Sequence, residues 1–88
     1  MPSTTDTIAL DVLLFSALRD HVGSGHLSVT LPTPATGTLL LDYLADKYPV
    51  IATYRPVIRL AVNAAYAAPT VSLHEGDEVA LITPVSGG

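Results

Sequence analysis

The sequence predicts an α+β domain, a mixed sheet packed on one main helix, and three observations point there. Strand-like apolar runs sit near both ends of the chain, and a single long stretch with helical period lies between them. With 88 residues and 49% hydrophobic content, the chain is sized for one small core and not two.

Residues 1–7 are polar and read as a loose leader, with the domain running from 8 to 83 and a tail from 84 to 88. Ile8 to Phe15 is a near-continuous apolar run that reads as a strand bounded by Ser16, and its pattern also fits burial on both faces. Ala17 to Val22 carries Leu18 and Val22 at helical spacing and stops at Gly23, which suggests a short helix closed by a glycine cap. From His26 to Leu31 polar and apolar residues alternate, placing Leu27, Val29 and Leu31 on one face of a half-buried strand. Pro32 and Pro34 end it.

The period then changes. Leu40, Leu41, Leu44, Ala45 and Tyr48 fall at steps of three and four, with Asp42, Asp46 and Lys47 on the opposite side. Thr36 is placed as the N-cap of this main helix, and Tyr48-Pro49 as its stop, because proline disfavours helical geometry in the residue before it. A loop ending at Pro56 follows. Val57 to Val62 reads as a strand, Asn63-Ala64-Ala65 as a turn, and Tyr66 to Ala68 as a short strand. His74-Glu75-Gly76-Asp77 turns into a last strand, Glu78 to Thr83, which runs directly into the tail. Two strands before the helix and three after it suit a ubiquitin-like β-grasp, in which the final strand lies centrally and the tail leaves from a rigid element.

Composition removes several function classes. There are no cysteines, hence no disulfide, thiolate metal site or thiol nucleophile. Four Lys and Arg against eight Asp and Glu give a net charge of -4 with no basic run, which argues against nucleic acid. The apolar stretches fall short of the roughly 20 residues a membrane span needs, and the start lacks the features of a signal peptide, so a cytoplasmic protein is expected. The three histidines, His21, His26 and His74, have no second ligand at metal spacing. Asp77 and Glu78 are neighbours on a strand and point to opposite faces, a poor acid and base pair. Gly23-Ser24-Gly25 lacks the lysine and the context of a phosphate loop.

What remains is the ending, Pro84-Val85-Ser86-Gly87-Gly88. Glycine passes constrictions that reject a side chain, and a tail of this length reaches roughly 16 Å when extended. It reads as a carboxylate on a stalk, able to enter a neighbouring protein's active site. Phe15, Tyr66 and Ile82 are candidates for an apolar patch on the sheet face away from the helix; for Phe15 and Ile82 a place in the core fits the pattern as well.

Several segments in order carry a resemblance: Leu14-Phe15-Ser16-Ala17-Leu18-Arg19-Asp20 with Val22-Gly23, Thr36 with Leu40-Leu41, Leu44 and Tyr48-Pro49, Leu60-Ala61-Val62-Asn63, Gly76-Asp77-Glu78-Val79-Ala80-Leu81, and the tail itself. Over residues 8–88 the chain resembles the molybdopterin synthase small-subunit family, sulfur carriers of ubiquitin-like fold. The resemblance implies that the Gly88 carboxylate is adenylated by an ATP-using activating enzyme and converted to a thiocarboxylate. The tail of Gly87, Ser86, Val85 and Pro84 then delivers sulfur to cyclic pyranopterin monophosphate in the large synthase subunit, within a heterotetramer. Catalytic side chains would belong to that large subunit, and this chain would bind no cofactor or metal. By the same resemblance Phe15, Tyr66 and Ile82 match a partner-facing patch and Arg19 a polar contact beside it.

Three positions depart from the family pattern. Asp20 replaces a common glutamate, Gly37 a β-branched residue, where it is expected to loosen the helix start, and Thr83 a second proline before the tail. The alternatives are a sulfur carrier for thiamine, tRNA thiolation or cysteine synthesis, a ubiquitin-like protein modifier, and an interaction module without chemistry.

Overall fold

A computed structural model describes residues 6–83. The first strand, β1 (Thr7–Leu14), alternates strictly, with Ile8, Leu10, Val12 and Leu14 turned inward and buried. It begins at Thr7, inside the stretch expected to be leader, and is buried on one face only. Ser16, at a φ of 49°, turns the chain sharply into α1 (Ser16–Val22), which Gly23 closes in the left-handed conformation at a φ of 91°. Next, β2 (His26–Pro32) pairs antiparallel with β1 and buries Val29 and Leu31.

The main helix, α2 (Gly37–Lys47), starts where the sequence placed it: the Thr36 hydroxyl accepts a hydrogen bond from the Leu39 N–H at 3.2 Å. Its apolar stripe, Leu40, Leu41 and Leu44, seals the inner face of the sheet. Two further short strands flank its start, β3 (Ala35–Thr36) and, later in the chain, β6 (Ser72–Leu73), which pair with each other. Strands of two residues leave no periodicity to read. Beside them the Gly37 N–H donates to the Val71 carbonyl at 3.1 Å and the Thr38 N–H to the Pro69 carbonyl at 2.8 Å, so first-turn donors of the helix are satisfied. A Cβ on Gly37 would sit 2.5 Å from Leu60 Cδ1 and 2.9 Å from the Pro69 oxygen. Glycine therefore lets the helix start press against this segment, and the expectation that Gly37 loosens it is corrected.

The stretch expected as a loop after Tyr48 is helical. Pro49 cannot continue α2, yet its fixed φ suits a first helical position, and it opens α3 (Pro49–Tyr54), followed by a 3₁₀ turn (Arg55–Val57). Ile51 is fully buried against the core, with Val50 and Tyr54 packed beside it. The following strand is thereby shortened to β4 (Arg59–Val62), and β5 (Ala65–Ala67) returns antiparallel to it. The turn between them holds Asn63 and Ala64 at φ of 50° and 72°, the two positive values of a type I′ hairpin.

The last strand, β7 (Glu78–Ile82), inserts between β1, to which it is parallel, and β4, to which it is antiparallel. The sheet order is β2-β1-β7-β4-β5, so β7 is central as expected of a β-grasp. Its entry is tied on several sides. Asp77 accepts from Asn63 Nδ2 at 2.9 Å and from the His74 N–H at 2.8 Å, while Asn63 Oδ1 accepts from the Glu78 N–H at 3.0 Å. Burial raises the Asp77 pKa, but these two bonds and the nearby His74 outweigh it and hold the carboxyl below its ordinary value.

Candidate functional site

Alternation fixes which residues of the sheet face away from α2. Paired residues share a face, and the register aligns His26, Leu13, Ala80, Ala61 and Tyr66 in one rung across all five strands. Toward the end of β7 the next rung pairs Ile82 with Arg59, and Phe15 directly follows β1 alongside. In the other direction Asp11 pairs with Glu78.

The resulting outer face carries an apolar band. Phe15 is 45% and Tyr66 72% exposed, Ile82 and Leu13 are half-buried, and Ala61 lies sunk between its neighbours outside the core cluster. Phe15 and Ile82 therefore sit on the surface and not in the core. The chain leaves β1 through the Phe15–Ser16 turn, and Phe15 uses its backbone carbonyl, not its side chain, to accept the N–H groups of Leu18 and Arg19 at 3.1 and 3.3 Å. Its ring is left out of the helix cap. Arg19 is exposed on α1, its stem lying against Gly25, just before β2. Along this end of the sheet the order is thus Gly25 with Arg19, Phe15, Ile82, Arg59, with Thr83 leaving from the middle.

Sequence reasoning missed Leu13, Ala61, Ala80 and Arg59. Arg59 and Ala61 alternate with Leu60 inside the predicted strand Val57 to Val62 and were legible there, whereas Leu13 and Ala80 lie in apolar runs whose outer face only the pairing register identifies. The tail residues Pro84, Val85, Ser86, Gly87 and Gly88 lie outside the described residues. Among the described residues no cluster of His, Asp and Glu has metal-binding geometry, and no helix is long and apolar enough to cross a membrane.

The geometry on this face is thus a central strand, an apolar band on the outer side of the sheet, and a chain that continues beyond Thr83. The ThiS family model matches residues 12–88. The molybdopterin synthase sulfur carrier subunit of Arabidopsis thaliana is 33% identical over 84 residues, covering 96% of this chain and 88% of that protein. Small archaeal modifier protein 1 of Haloferax volcanii superposes with a TM-score of 0.77 at 31% identity, over 91% of this chain and 99% of that one. A chain of the protein-protein complex of subunits 1 and 2 of molybdopterin-converting factor from Helicobacter pylori shares the fold, with a TM-score of 0.64 at 18% identity, covering 92% of this chain and 100% of that one. With the last strand central and the main helix in place as expected, and the family model spanning nearly the whole fold, the chain belongs to the ThiS family of ubiquitin-like β-grasp proteins.

Proposed function

We propose that this chain is the sulfur-carrier subunit of a molybdopterin synthase. The observation that carries the reading is family membership, with a curated sulfur carrier subunit one-third identical over nearly the full length. The central position of β7 supports it, because a tail rooted there is delivered by a stiff element.

In the proposed cycle a Gly88 carboxylate oxygen attacks the α-phosphorus of ATP in an adenylating activating enzyme, and pyrophosphate leaves. A sulfur nucleophile of the hydrosulfide class then adds to the acyl carbon and AMP departs, leaving the thiocarboxylate. The outer-face band of Phe15, Tyr66 and Ile82, with Arg19 beside it, docks on the large subunit. There the tail gives up its sulfur to cyclic pyranopterin monophosphate. The catalytic side chains belong to the large subunit and ATP to the activating enzyme; this chain supplies the acyl group and the address. A cytoplasmic setting goes with this reading.

The test is the intact mass of the protein after incubation with its host's activating enzyme, ATP and a sulfur donor. The expected result is the mass gain of one oxygen exchanged for sulfur, lost when Gly88 is deleted. No gain with a demonstrably active activating enzyme would refute the carrier reading. A second reading is favoured by the likeness to the archaeal modifier protein: conjugation to other proteins. Its mark in the same assay, run with lysate, is Gly88-dependent isopeptide adducts.

A further inference from the structure

We infer that Arg59 is an orienting contact of the docking face and meets a carboxylate of the large subunit, which rests on the sulfur-carrier reading above. The outer face is electrically polarised along β7. Asp11 and Glu78 stand side by side in register at one end, and Arg59 stands beside Ile82 at the other. Glu78 and Ile82 are four residue steps apart, or roughly 13 Å along a strand. The apolar residues Leu13, Ala80, Ala61 and Tyr66 lie between the two ends, with His26 at the β2 edge of their rung, its Nε2 3.2 Å from Asp11 Oδ1.

The ion pairs of the chain single out this arginine. The protein has only four Lys and Arg among eight Asp and Glu, a composition in which a cation meets a carboxylate easily. Arg55 is paired with Asp42, and Lys47 lies over the rings of Tyr43 and Tyr48. Among the described residues neither Arg59 nor Arg19 has an acidic partner. Both belong to the end of the sheet from which Thr83 departs. Arg59 also lines, with Tyr66, an open cleft at the β4–β5 edge. A partner that fills the cleft removes water from the guanidinium, and a charge so desolvated requires an opposite charge on that partner.

The fitting surface on the large subunit is therefore an apolar patch with an Asp or Glu at the Arg59 end, where a planar guanidinium can hold a carboxylate through two hydrogen bonds. Docking the other way round would set that carboxylate against Asp11 and Glu78. The repulsion disfavours the reversed pose and fixes which way the sheet end carrying Thr83 faces the partner.

The experiment measures association and dissociation of the full chain with the purified large subunit of the same organism, at low and high salt. The Arg59→Glu variant is expected to bind about ten-fold more weakly at low salt, the gap narrowing as salt screens the charge. Arg59→Lys should retain part of the affinity. Exchanging one carboxylate of the large subunit for arginine should restore binding to Arg59→Glu. Phe15→Asp and Tyr66→Asp, checked for folding by circular dichroism, serve as docking controls. If they weaken binding while Arg59→Glu binds with parental affinity and salt dependence, docking stands and the Arg59 inference falls. If none of the three weakens binding, the docking reading falls and takes the inference with it. A loss seen only with the activating enzyme would overturn the choice of partner.

Discussion

Replacing Gly37 with alanine tests the packing at the start of α2, because two effects of opposite sign meet there. Helix propensity alone favours alanine by up to about 1 kcal/mol. The added methyl, however, would stand 2.5 Å from Leu60 Cδ1, 2.9 Å from the Pro69 oxygen and 3.3 Å from Pro69 Cα. Leu60 is only 2% exposed and has little room to turn away. The Pro69 oxygen is the acceptor for both the Thr38 N–H at 2.8 Å and its hydroxyl at 3.2 Å, so moving it strains two hydrogen bonds. Overpacking of this kind costs about 1–3 kcal/mol, and weakened hydrogen bonds add up to about 1 kcal/mol. With the propensity gain subtracted, Gly37→Ala should destabilise the fold by about 2 kcal/mol, lowering Tm by roughly 8–16 °C in a domain of this size. Urea unfolding followed by far-UV circular dichroism reads this as a lower midpoint at unchanged slope. Gly25→Ala is the control, since its methyl meets the flexible Arg19 stem at 3.1 Å and the Leu14 oxygen only at an ordinary contact distance of 3.6 Å. A Gly37→Ala protein as stable as the parent, or more stable, would refute the close-approach account.

Two further substitutions probe the turns that hold β7. Ala64 adopts a φ of 72°, which disfavours residues with a Cβ by roughly 1 kcal/mol; Ala64→Gly should raise Tm by a few degrees in a thermal melt, and a fall would show that the turn tolerates alanine without strain. Asp77→Ala removes the acceptor for Asn63 Nδ2 and the His74 N–H and should cost about 1–2 kcal/mol at pH 7. Because the folded-state pKa of Asp77 is lowered, its contribution is present above the ordinary carboxylate pKa of about 4 and is lost as pH falls through the folded value. The stability gap between parent and variant should therefore shrink below about pH 4, and a gap that stays constant down to pH 2 would exclude the ionised carboxylate as its source.

The amino-acid sequence by itself determined the class of fold, the main helix with its Thr36 cap and Pro49 stop, and the approximate strands. Each of these is written in local signals: a change of period, a capping hydroxyl, a proline, a glycine. Only the tertiary structure decided the rest. That Pro49 both stops one helix and starts another depends on Ile51 finding a place in the core. The two-residue strands β3 and β6 exist because each finds the other across a long sequence separation. Gly37 looked like a weakness because propensity describes an isolated helix, whereas its role comes from the approach of Leu60 and Pro69. The outer face follows the same rule. Alternation tells which residues of one strand share a side, but which side meets solvent, and which residues of five strands stand in one rung, are fixed by pairing register. Register depends on contacts between residues far apart in the chain, so Phe15, Ile82, Tyr66 and Arg59 become one surface only when the sheet is assembled.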